Sequence, residues 1–82
     1  DLSEERRRDM VKVAGRYAES ARVAVRNVRR DGIEAIRKAE KDGLLSEDER
    51  HGEEGRVQKL TDSYVSLIDE TLANKEREIT QV

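Results

Sequence analysis
The chain has 82 residues, 44% of them charged and 34% hydrophobic, with 17 Lys and Arg against 19 Asp and Glu and no Pro, Cys, Trp or Phe. That excludes a disulfide scaffold, a zinc knuckle and a thiol nucleophile, and there is no apolar run of the roughly 18 residues a membrane helix needs. Globular domains carry only about 25% charged residues, so core material is scarce and a single domain of this size buries a marginal core. No charged-then-apolar leader is visible, so no signal peptide is expected.

In chain order, the first predicted element is a long helix over about residues 4–41. Ser3 before Glu4 and Glu5 is the expected N-cap: its hydroxyl can accept an early backbone N–H, and the two acids suit the positive end of the helix. Gly15 and Gly32 weaken this helix by roughly 1 kcal/mol each, with slight bending expected near Gly32. At 1.5 Å per residue it is roughly 57 Å long.

The segment Asp42-Gly43-Leu44-Leu45-Ser46 breaks the pattern. Gly43 can take the left-handed position that ends a helix, and Ser46 with Glu49 forms a capping box for the next one. The second helix is predicted over about residues 47–81, although Gly52 and Gly55 weaken its first two turns. A short connection between long helices makes the fold all-α, an antiparallel helical hairpin.

At 100° per residue, Met10, Val13, Ala14, Tyr17, Ala21, Ala24, Val25, Val28, Ala35 and Ala39 share an arc about 120° wide. Val57, Leu60, Tyr64, Leu67, Ile68, Leu72 and Ile79 share another of similar width. Such stripes exceed the seam of a two-stranded coil and suit a bundle of three or four helices. A third helix, or self-association of two hairpins into a four-helix bundle, is therefore expected. Tyr17 and Tyr64 are expected to pack in the core.

The net charge of −2 hides a polarity. Residues 6–30 carry nine basic side chains, eight of them Arg, against Asp9 and Glu19, whereas residues 43–82 carry five basic and ten acidic ones. Arg22, Arg26, Arg29 and Arg30 line one face, which Arg8, Lys12 and Arg37 extend, roughly opposite the apolar arc. These guanidinium groups are expected to face solvent or a partner. Arg is suited to phosphate, being planar, permanently charged and able to bind bidentately. Such a helix could track an RNA backbone with strong salt dependence. With only two aromatics, both on apolar arcs, readout of single-stranded bases is not expected. The plainer reading is a solvated face with a few ion pairs, such as Arg22 reaching back to Glu19.

Chemistry is hard to assemble. His51, the sole histidine, lacks the second His of a zinc-protease helix, since position 55 is Gly. Asp48-Glu49-Arg50-His51 has the spacing of half a di-iron motif without its other ligands. His51 is expected as an exposed helix residue. The acids after Ser46 do not alternate as a calcium loop requires, and no phosphate-binding Gly-rich loop is present. Catalysis is not expected, nor is a cofactor or metal.

The stretch Ala21-Arg22-Val23-Ala24-Val25-Arg26-Asn27-Val28-Arg29-Arg30-Asp31 resembles the central helix motif of the ribosome recycling factor family. So do Leu2-Ser3-Glu4-Glu5-Arg6-Arg7-Arg8, Val57-Gln58-Lys59-Leu60-Thr61-Asp62 and Lys75-Glu76, and the resemblance runs from Leu2 to Val82. Departures are confined to Gly32–Gly55. The resemblance implies a cytoplasmic, non-enzymatic translation factor with a three-helix bundle and an inserted α/β domain. This chain would supply the bundle's second and third helices, without the first helix and the α/β domain. It also implies contact with large-subunit ribosomal RNA through Arg7, Arg26 and Arg29, with Arg22 and Arg30 beside them. In the full-length protein it implies partnership with elongation factor G, through the absent domain, in splitting post-termination ribosomes. The alternative is a protein-interaction or oligomerisation hairpin whose charge only solubilises it. In either case the unfilled stripes point to a homodimer or higher self-association of this chain.

Overall fold
The computed structural model describes residues 2–81; Asp1 and Val82 lie outside the described residues. Two α-helices account for almost all of it, α1 at Leu2–Lys41 and α2 at Glu47–Thr80. They pack antiparallel into a rod of 63 × 15 × 9 Å. The 63 Å length is that of one 40-residue helix, since 1.5 Å per residue gives about 60 Å.

The helix limits have local causes. Glu4 and Glu5 occupy the first turn of α1, and Lys38 and Lys41 its last, each opposing the partial charge of the helix end. Ser3 does not cap α1, because the helix already runs through it. Gly43 adopts φ 80°, and its N–H donates to the carbonyl of Glu40 at 3.0 Å while Leu44 N–H donates to Ala39 at 2.8 Å. This pair of bonds is the Schellman termination, which satisfies carbonyls that the helix end would orphan. Ser46 then starts α2: its Oγ accepts from Glu49 N–H at 3.1 Å, and the Glu49 carboxylate accepts from Ser46 N–H at 2.9 Å. The Ser46 backbone N–H, seconded by the Ser46 side chain, holds the Glu49 carboxyl below its ordinary value.

Only one described residue is buried, Ala18, still 8% exposed, at the middle of the helix–helix contact. Around it the half-buried positions of α1 include Val11, Ala14, Ala21, Val25, Ile33 and Ile36, facing Val57, Val65, Ile68, Leu72 and Ile79 of α2. The seam thus takes in Val11, Ile33 and Ile36, which lie outside the expected arc, and leaves out half of that arc. Tyr17 is 75% exposed and Tyr64 55%, so neither tyrosine is a core packer. The reason is geometric: one partner helix can cover only about half of a stripe 120° wide.

Near the turn the seam becomes ionic. Arg50, one of the better-covered side chains, donates to Glu40 at 2.7 Å and to Glu54 at 3.3 Å, and Arg37 donates to Glu54 at 3.0 Å. The Arg37 hydrogen bond, seconded by the charge of Arg50, holds the Glu54 carboxyl below its ordinary value. Among the described residues no helix is long and apolar enough to cross a membrane.

Candidate nucleic-acid interface
The hairpin is a two-faced ribbon. With α2 covering the Ala18 side of α1, a step of 100° per residue places Arg8, Lys12, Arg26, Arg30 and Arg37 on one outer face. Met10, Tyr17, Ala24 and Val28 lie on the other, where they border α2 along an apolar groove. Tyr17, Ala21, Leu67 and Leu72 line one half of that groove, and Ala24, Val28, Leu60 and Tyr64 the other.

The basic face is graded along its length. Towards the start of α1, Arg8, Lys12 and Arg16 on this side, Arg6 on the groove side and Arg7 beside the seam make no ion pair with any described residue, and all but Arg7, which is half-buried, are exposed. Towards the middle, α2 intervenes. Arg22 donates from Nε to Asp69 at 2.9 Å and from Nη1 to Glu19 at 2.9 Å, and only 19% of its side chain is exposed. Both carboxylates stabilise its charged form, Asp69 most. The expected Glu19 pair is therefore present, but Arg22 does not face solvent as the stripe predicted. Its Cα is about 40° from the seam, close enough for the guanidinium to fold onto α2.

Arg26 is more open, reaching Glu19 only at 3.4 Å. Arg30 is open too, with Asp31 at 3.9 Å. Arg29 is half-buried, and its Nε donates to the Gln58 side-chain oxygen at 2.7 Å. Gln58 in turn donates to Asp62 at 2.9 Å. Among the described residues, no partner is recorded for the Nη atoms of Arg29. The five expected residues thus differ in kind: Arg26 and Arg30 are exposed, Arg7 is half-buried without an ion pair, Arg29 is anchored by a neutral amide, and Arg22 is neutralised.

Reading α1 alone missed the α2 residues that sort these arginines, namely Gln58, Asp62 and Asp69. A signal for them existed. Folding the sequence about the Leu44–Leu45 turn brings Arg37 opposite Glu54, Arg29 opposite Gln58 and Arg22 opposite Asp69. His51 is exposed on α2, and among the described residues no cluster of His, Cys, Asp or Glu could hold a metal ion.

Residues 1–80 match the family model described as "Ribosome recycling factor". Proteins named ribosome-recycling factor from Methylobacterium nodulans and Agrobacterium fabrum are each 55% identical over 82 residues, all of this chain. One from Hyphomonas neptunium is 59% identical over 81 residues, 99% of the chain. The chain spans 44% of the length of each of these relatives. With a family model covering nearly the whole hairpin, the chain belongs to the ribosome recycling factor family.

Proposed function
We propose that α1 is a ribosomal RNA-binding helix, acting on the large ribosomal subunit. The supporting observation is that Arg8, Lys12 and Arg16 make no ion pair with any described residue, and that Arg26, Arg29 and Arg30 continue them on the side away from the groove. Guanidinium groups left without carboxylate partners keep their full charge for phosphate, and each phosphate they neutralise releases condensed counterions. In the full-length protein this helix would serve ribosome recycling with elongation factor G, which would act through parts of the protein outside this chain. The test is RNA binding by the 82-residue chain across salt. Affinity for a large-subunit RNA fragment should fall steeply between low and moderate salt. Replacing Arg26 and Arg29 together by Ala should cut affinity and lower the log–log salt slope by roughly 1.5. Unchanged binding in that double variant removes the assignment; no binding by the parent chain favours the interaction-module alternative.

We further infer that in this chain a second copy covers the groove. A 9.4 kDa protein folded as a compact monomer exposes about 5,000 Å². This hairpin exposes 6524 Å². The excess of about 1,500 Å² is more than the roughly 800 Å² per partner of a standard interface. Charge specifies the arrangement. Glu53, Tyr64 and Lys75 lie eleven residues apart, three helical turns, on the groove side of α2. A two-fold axis beside Tyr64 therefore sets Glu53 of each copy against Lys75 of the other. Sedimentation should give a dimer at tens of micromolar; a fully helical monomer at that concentration overturns it. In a three-helix bundle of the full-length protein, the first helix would take the same groove.

A further inference from the structure
On this reading of α1, the structure assigns Gln58 as a positioning residue that presents Arg29 to an RNA phosphate. The inference rests on the RNA-binding proposal and turns on a contrast within one row. Arg22 meets two carboxylates across and along the hairpin, Asp69 and Glu19, both at 2.9 Å. Arg29, two helical turns further on, meets an amide oxygen at 2.7 Å instead. Both contacts fix a guanidinium through its Nε and so remove side-chain freedom before any ligand arrives. Only the carboxylate also cancels the charge.

The amide leaves Arg29 with its full positive charge and with both Nη groups available, the edge that grips phosphate oxygens bidentately. An arginine held in place beforehand loses less conformational freedom on binding. Asp62 completes the arrangement. By accepting from Gln58 Nε2 at 2.9 Å it fixes which way the amide points, so that the oxygen and not the NH2 group faces Arg29. A reversed amide would set two donors against each other. Arg29, Gln58 and Asp62 thus form a directed chain across the hairpin, with the one negative charge a residue removed from the cation it orders.

The experiment measures binding of a large-subunit RNA fragment by the 82-residue chain at several salt concentrations, with helicity checked by circular dichroism. Arg29→Ala is the reference and should lower both affinity and salt slope, the slope by roughly 0.7–0.9. Gln58→Glu should keep the hairpin folded yet match Arg29→Ala in slope, because a carboxylate now neutralises the guanidinium. Gln58→Ala should weaken binding by about two- to tenfold, the value of one hydrogen bond, with the slope unchanged because the charge remains. If Arg29→Ala weakens binding while Gln58→Glu and Gln58→Ala bind as the parent does, the positioning role is overturned and the RNA-binding reading survives. If Arg29→Ala itself changes nothing, Arg29 contacts no phosphate and both fall at this residue.

Discussion
Arg22 and Asp69 stand 47 positions apart in sequence, yet the guanidinium Nε and the carboxylate Oδ1 lie 2.9 Å apart across the hairpin. Glu19 holds the other side of the same guanidinium, so a residue of the Arg-rich motif serves the hairpin itself. Asp69→Asn should therefore act in opposite directions on two observables. Chemical denaturation should show a less stable hairpin. RNA binding should strengthen and its salt slope rise by up to roughly 0.9, as Arg22 becomes available for one more phosphate. A slope that does not rise would show that Arg22 stays out of reach of RNA even when released.

The glycines make two predictions of opposite sign. Gly43 sits at φ 80°, a conformation in which a Cβ is strained, so Gly43→Ala should cost about 1–2 kcal/mol in urea denaturation. Gly32 is helical, and a Cβ built there meets Val57 Cγ1 at 4.0 Å, an ordinary contact. Gly32→Ala should therefore stabilise the hairpin by up to about 1 kcal/mol through helix propensity, with any filling of the groove floor adding to it. The two variants carry the same chemical change, and their difference isolates backbone conformation.

Much of this was legible along each helix and little of it across them. The turn at Gly43 and the capping box of Ser46 and Glu49 depend on residues three or four apart, which a sequence displays directly. The choice among arginines does not. Arg22, Arg26, Arg29 and Arg30 form one stripe on a helical wheel, and what separates them is their angle from the seam and whether α2 offers Asp69, Gln58 or nothing at the matching height. The tyrosines failed for a related reason. An apolar arc shows that a residue seeks cover, while the number of helices present decides whether it finds any. Ser3 misled because its acids at positions 4 and 5 fit equally well one residue further inside the helix.

Acidification should loosen the turn end first. Glu54, held by Arg37 and Arg50, and Glu49, held by Ser46, both have carboxyl groups below the ordinary value of 4.5. A carboxylate depressed on folding stabilises the folded state fully above its unfolded value and loses that contribution as pH falls through the folded one. Stability should thus be level from about pH 7 to about pH 5 and decline below 4.5. Glu54→Gln should be less stable at neutral pH and decline less steeply in acid, as followed by urea midpoints. Ser46→Ala removes the cap's hydroxyl acceptor and should cost about 1 kcal/mol at neutral pH. An acid decline of full steepness in Glu54→Gln would place the titrating group elsewhere.

The groove yields the sharpest test of assembly, because a two-fold axis makes every charge count twice. In the antiparallel dimer, Lys75→Glu sets like charges against Glu53 of the other copy at two symmetric places, and Glu53→Lys does the same with the opposite sign. Exposed ion pairs contribute about 0.2–1 kcal/mol each, so either single variant should raise the dissociation constant by about two- to thirtyfold. The double variant restores both pairs with their signs exchanged and should return near the parent affinity. A parallel arrangement gives a different pattern, since Lys75 would then stand beside Lys75 and Glu53 beside Glu53, and each single variant would only exchange one like-charged pair for another and leave the dissociation constant near the parent value. Sedimentation equilibrium on the three variants distinguishes these outcomes, and weakening by Lys75→Glu with no recovery in the double variant would show that the two residues do not meet.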